Sequence, residues 1–128
     1  MAINESTYVD QAESVIKKLS ANKDNRGNPK WITTSKIRNL LAMTADIYNE
    51  VLGMSEELPE EVCSRIDYLR VRFVYECGRD PMLVKTFVEQ AGLIEALKEI
   101  NGSRKNFILF NRYLEALVAY HRFYGGKD

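Results

Sequence analysis

The sequence holds one histidine and two cysteines, and its 18 lysines and arginines balance 18 aspartates and glutamates. Each scarcity excludes something. One histidine with two cysteines assembles no Cys–His metal cluster. Cys63 and Cys77 stand 14 residues apart on one predicted helix. Four turns separate them by about 21 Å, beyond disulfide reach, so they read as small buried hydrophobes in a reducing compartment. A formal net charge of zero removes the overall basic excess by which nucleic-acid binders often show themselves. A local basic face then requires segregated acids, and Glu56, Glu57, Glu60 and Glu61 do crowd one segment.

Long apolar runs are missing too. None reaches the ~20 residues of a membrane span, and MAINESTYVDQ has neither the basic start nor the apolar stretch of a signal peptide. The expectation is a cytoplasmic protein without membrane contact. Catalytic signatures are equally absent: no glycine-rich phosphate loop, no GxSxG elbow, no HExxH. His121 falls inside an apolar stripe and reads as a packed, hydrogen-bonded histidine. Glu13, Glu50, Glu76, Glu89 and Glu115 lack the Glu-x-x-His repeat of di-iron bundles, and read as solvated or paired acids. An enzyme here would have to be built on His121 with Glu115 or a tyrosine. The chain is expected not to be an enzyme and to use no cofactor or metal.

What is present is helix. Hydrophobic residues make up 45% and charged residues 28% of 128 positions, enough for one domain over residues 1–128 that buries roughly two thirds of its unfolded surface. There is no strand pattern, internal repeat or low-complexity tract. Helical periodicity runs from about Thr7 to Ala21, with Val9, Ala12, Val15, Ile16 and Leu19 on one face. The loop Asn22 to Trp31 follows. A hydroxyl-rich start at Thr33, Thr34 and Ser35 opens a second helix through Ile37, Leu40, Leu41, Thr44, Ile47, Tyr48 and Val51 to a stop at Gly53. A third begins at Pro59 with Glu60 and Glu61 in its first turn and closes at Gly78. A fourth, started by Asp80–Pro81, spans about Met82 to Gln90, and a fifth Leu93 to Ile100.

Ser103 caps the last helix, which Gly125–Gly126 ends. Phe107, Phe110, Leu114, Leu117, His121 and Tyr124 form one stripe, and Ile108, Tyr113, Val118, Tyr120 and Phe123 leave the other sides far from polar. A helix apolar nearly all round is buried on several sides. The fold class is therefore all-α: a compact bundle of five to six helices with a long, largely buried C-terminal helix. Its aromatic surface exceeds what one core needs, so part of it is expected to meet a partner.

Three basic groups remain. On the third helix Arg65, Arg72 and Arg79 recur every seven residues, drifting only ~20° per step, with Tyr68 and Tyr75 beside them. Such a row spans about 21 Å and can follow successive phosphates; equally, the arginine stems can cover the core and pair with Asp67 or Glu76. Spacing leaves both readings open. Lys36 and Arg38 follow the Thr33–Ser35 start, whose free amides make an anion site in principle. Arg104 and Lys105 stand similarly at the start of the last helix.

Four segments taken in order, WITTSKIRNLL, RIDYLRVRFVYECGRD, FVEQAGLIEALKEI and FILFNRYLEALVAYHRFYGG, closely resemble the small all-helical (Csm-type) subunit of type III-A CRISPR effector complexes. The resemblance covers about Tyr8 to Gly126. It implies a non-catalytic RNA-binding subunit in antiviral and anti-plasmid defence. Several copies stack along the complex, touching one another and the backbone and large subunits. They contact the backbone of the guide and target RNA without sequence specificity, and the nuclease activities belong to the other subunits. Carried over, the RNA-backbone positions are Lys36, Arg38, Arg70, Arg72 and Arg79, with Arg104 and Lys105 matching less closely. The alternative is a helical protein-interaction adaptor with no nucleic-acid contact.

Overall fold

The computed structural model describes residues 3–128. Helix α1 (Tyr8–Ser20) buries Ala12, Ile16 and Leu19, the i, i+4, i+7 pattern of a half-buried helix. Helix α2 (Thr34–Ala42) starts where the extended Thr33 accepts the Lys36 amide on its side chain at 3.3 Å. Helices α3 (Ala45–Val51), α4 (Glu60–Arg79), α5 (Val84–Ala91), α6 (Leu93–Lys98) and α7 (Arg104–Phe123) complete the order. Gly92, at φ 68°, is the left-handed residue that ends α5 and begins α6, a conformation costly to any residue with a Cβ. Among the described residues there are two isolated β-bridges and no strand.

The all-α expectation is met, with one helix more than the periodicity predicts. The second predicted helix is broken at Met43–Thr44 into α2 and α3. Thr44 is buried, and its hydroxyl lies 2.7 Å from the Leu41 carbonyl and 2.5 Å from Asn111 Oδ1 on α7. The Asn111 amide is oriented by its own Nδ2, which donates to Glu115 at 2.7 Å, so Oδ1 is left facing Thr44. A threonine that hydrogen-bonds back into its own helix bends it, and here a core partner fixes the bend. Two boundaries also shift. Helix α4 runs through Gly78 to Arg79, and α5 begins two residues after Met82 because Asp80 first caps a turn, accepting the Leu83 amide at 3.0 Å.

Helix α7 is the pillar. It buries Phe107, Leu109, Phe110, Tyr113, Leu114, Leu117 and His121 and packs against α1, α2, α3 and α6. Helix α4 packs on α3, α5 and α6 and reaches α7 through the rings of Phe73 and Phe110, whose centroids lie 6.3 Å apart. Its inner face buries Val62, Ile66, Leu69, Phe73 and Cys77. Its outer face, with Tyr68, Val71, Val74 and Tyr75, is left exposed by the described residues.

The start of α7 is tied down by the loop between α3 and α4: the Leu58 amide donates to the Gly102 carbonyl, and the Arg104 amide to the Glu56 carbonyl, both at 2.9 Å. At the other end the segment after α7 folds back over His121. A Cβ at Gly126 would overlap the His121 ring, so only glycine fits there. Phe110→Ala, which empties a fully buried site on α7, is expected to lower the unfolding free energy by about 3–5 kcal/mol. Phe123→Ala, on the same helix but exposed, should stay within about 0.5 kcal/mol of the parent. Denaturant titration of both variants checks this.

Candidate nucleic-acid interface

The heptad row of α4 places Arg65, Arg72 and Arg79 along one flank, with Tyr68 and Tyr75 at the crest, 64% and 65% exposed. The flank adjoins α2. Between the two helices runs a groove of about 510 Å³ lined by Asn39 and Met43 on one side and Tyr68, Val71, Arg72 and Tyr75 on the other. It continues past Glu76 and Arg79 into a cleft of about 250 Å³ that reaches Ser35, Lys36 and Asp80. Lys36, Arg72 and Arg79 therefore share one continuous depression.

The cations differ in how they are held. Arg65 pairs with Glu50 of α3 at 2.7 Å. Arg79 places its guanidinium 2.9 Å from Glu76 and 5.8 Å from the centroid of Tyr75. Lys36 forms a short ion pair with Asp80, which with the Leu83 amide holds the Asp80 carboxyl below its ordinary range. Arg72 has no acid within ion-pair distance among the described residues.

The remaining predicted positions lie elsewhere. Arg38 is two residues from Lys36, about 160° away around the helix, on the opposite flank of α2 near Asp128. Arg70 stands likewise opposite Arg72 on α4 and is half-buried. Arg104 donates to the Val51 and Leu52 carbonyls at 2.9 and 3.0 Å, closing the end of α3 as a cation at a helix C-terminus does. Lys105 is exposed, 3.7 Å from Glu5.

Neither helix start is an open anion site. At α2 the Asp128 carboxylate accepts the Ser35 amide at 2.8 Å and the Ser35 hydroxyl at 2.5 Å. At α7 the Glu56 carboxylate accepts the Lys105 amide at 2.9 Å and the Ser103 hydroxyl. The free amides that favour an anion are thus satisfied by the chain's own carboxylates. The hydrogen bonds from Ser103 and Ser35 are the main reason the Glu56 and Asp128 carboxyls are more acidic than usual.

His121 is buried, with Nε2 2.7 Å from the Ile32 carbonyl and its ring 4.5 Å from that of Trp31. Burial lowers its pKa, so it sits neutral in the core. Burial likewise raises Cys77, and raises Tyr113 to about 12, its hydroxyl on the Ala91 carbonyl. Glu13, Glu50, Glu76 and Glu115 are engaged by Tyr124, Arg65, Arg79 and Asn111. No three His, Cys, Asp or Glu residues are grouped to hold a metal among the described residues, and no helix there is long and apolar enough to cross a membrane. Sequence reasoning missed Asn39 and Met43 as groove residues and Asp80 as the partner of Lys36. Only the Glu76–Arg79 spacing carried a local signal for its pair.

These features define a class: a small helical bundle whose surface carries a cationic, tyrosine-bearing groove. Residues 6–127 match the Csm2 Type III-A family. The chain is 45% identical over 126 residues to the CRISPR system Cms protein Csm2 of Streptococcus thermophilus, covering 98% of each. It is 42% identical over 129 residues to that of Mycobacterium tuberculosis, covering 100% of this chain and 99% of the relative. To the Csm2 of Enterococcus italicus it is 38% identical, covering 91% and 89%. The chain belongs to the Csm2 Type III-A family, as the four sequence segments indicate.

Carboxyls more acidic in the folded than in the unfolded chain stabilise it above their unfolded pKa, and that stability is lost as pH falls through the folded value. For Glu56 the loss begins near its unperturbed value of 4.5. Glu56→Gln should therefore melt below the parent at pH 7, and the gap should close as pH falls from about 4.5 toward 2. Thermal melts of both proteins across that range check it.

Proposed function

We propose that the protein is a non-catalytic small subunit of a type III-A CRISPR effector complex that contacts the backbone of guide and target RNA without reading sequence. The observation that carries this reading is Arg72, exposed and without an acid partner among the described residues, between the two exposed tyrosines of α4. A guanidinium forks onto a phosphate, and a tyrosine face accepts any base, so the pair binds nucleic acid without sequence preference. Lys36 and Arg79 extend the groove on the same side, while Arg38 and Arg70 lie on other flanks and add charge at a distance.

Family membership supports placement among the other subunits of the complex. The exposed apolar side chains of Val74, Met82 and Phe123 suit contacts with neighbouring subunits, further copies of this chain included. With no net charge, a single copy binds RNA weakly, and affinity arises when several copies act on one strand. A catalytic role has little to build on, because the one histidine is buried, neutral and hydrogen-bonded to backbone.

The isolated protein should bind single-stranded RNA weakly, with an affinity that falls with salt by roughly 0.7 in log–log slope for each phosphate contacted, and equally for unrelated sequences. Arg72→Glu should weaken binding at least tenfold and flatten the slope, whereas Arg70→Glu should change both little. Fluorescence anisotropy over a salt series tests this; equal binding by Arg72→Glu and the parent would remove the α4 groove as the RNA face.

A further inference from the structure

The two ion pairs in the cleft share an asymmetry. Arg79 is 63% exposed, whereas its partner Glu76 is 15% exposed. Lys36 is 50% exposed, and Asp80 only 16%. In both pairs the cation stands at the mouth of the cleft and the acid lies behind it. Both Glu76 oxygens are on Arg79, at 2.9 and 3.2 Å, and Asp80 is anchored from behind by the Leu83 amide at 3.0 Å. Arg72, in the same groove, has no such acid among the described residues.

We propose that Glu76 and Asp80 are built-in competitors for RNA phosphate: they hold Arg79 and Lys36 in line at the mouth of the groove and mask their charge until a backbone phosphate takes the acids' place. This rests on the RNA-contacting reading above and adds its regulation. Ion pairs with one partner in solvent are weak and salt-screened, so exchanging a carboxylate for a phosphate loses little. The exchange leaves the fold in place, since Asp80 keeps its bond to Leu83. The arrangement also gives the zero net charge a local meaning. Lys36 and Arg79 (+2) are cancelled by Glu76 and Asp80 (−2), so a lone subunit offers RNA chiefly Arg72. Only a strand held against several copies gains enough contacts to displace the acids.

The test is binding of an oligouridine of about 40 nucleotides by the full chain across a salt series, comparing the parent with Glu76→Gln, Asp80→Asn and the double variant. Both substitutions keep an oxygen acceptor, for Arg79 and for the Leu83 amide, and melting temperatures confirm that each variant is folded. The double variant is expected to bind at least fivefold tighter, its log–log slope steeper by roughly 0.7 for each cation released. Adding Lys36→Gln and Arg79→Gln should abolish the gain. Glu60→Gln/Glu61→Gln is the control: it makes the same change in net charge at the far end of α4, about 22 Å away.

No gain from a folded double variant, or an equal gain from the control, overturns the proposal. If Arg72→Glu weakens binding while Glu76→Gln/Asp80→Asn does not strengthen it, the RNA reading stands and only this inference falls. If Arg72→Glu changes nothing, the RNA reading falls first.

Discussion

The burial of one broad face of α7 is the constraint from which the rest of the structure follows. Its rings and leucines bury that face along nearly the whole helix, leaving the stripe of Lys105, Arg112, Glu115, Ala119 and Arg122 to solvent, so α1, α2, α3 and α6 are arranged around it. Asn111, a polar group admitted to that interface, is satisfied by Thr44 and Glu115, because an unpaired buried amide would be costly. With those positions taken, α4 meets α7 through Phe73 and Phe110, and its opposite face is left to solvent. The tyrosines and arginines of that face are thus exposed by the packing of a helix they do not touch.

Self-neutralisation is the second theme. The helix starts of α2 and α7, which attract anions by their free amides, are occupied by Asp128 and Glu56. Arg65, Arg79 and Lys36 are each met by an acid from the same chain. On the proposed reading, in which the subunit meets RNA as part of an array, such balance is an advantage, because a strongly basic free subunit would adhere to any nucleic acid it met. What remains for recognition is short and local: Arg72 between Tyr68 and Tyr75, with paired cations on either side.

Much of this was legible in the sequence, and what was not has a common cause. The pillar was readable because 3.6-residue periodicity is a local property: Phe107, Phe110, Leu114, Leu117 and His121 are buried as the stripe predicts. The tyrosine and arginine row of α4 was readable for the same reason. The break between α2 and α3 was not, since the partner that bends the chain at Thr44 stands 67 residues away. Nor could the acid on Lys36, 44 residues distant, or the carboxylates that close the two helix starts, be read from neighbours. The structural use of Arg104 on the carbonyls of α3 was hidden likewise. Residue type and spacing identify which side chains can meet a phosphate, whereas tertiary partners decide which are already engaged.

The central claim is that the outer face of α4 is the surface laid against RNA. Ultraviolet crosslinking of the assembled effector complex, with mass spectrometry of the peptides carrying nucleotide adducts, tests it most directly. The account predicts adducts on the α4 peptides that contain Tyr68 and Tyr75. Adducts on other helices of this subunit, with α4 unmodified and both tyrosines still accessible, would contradict it.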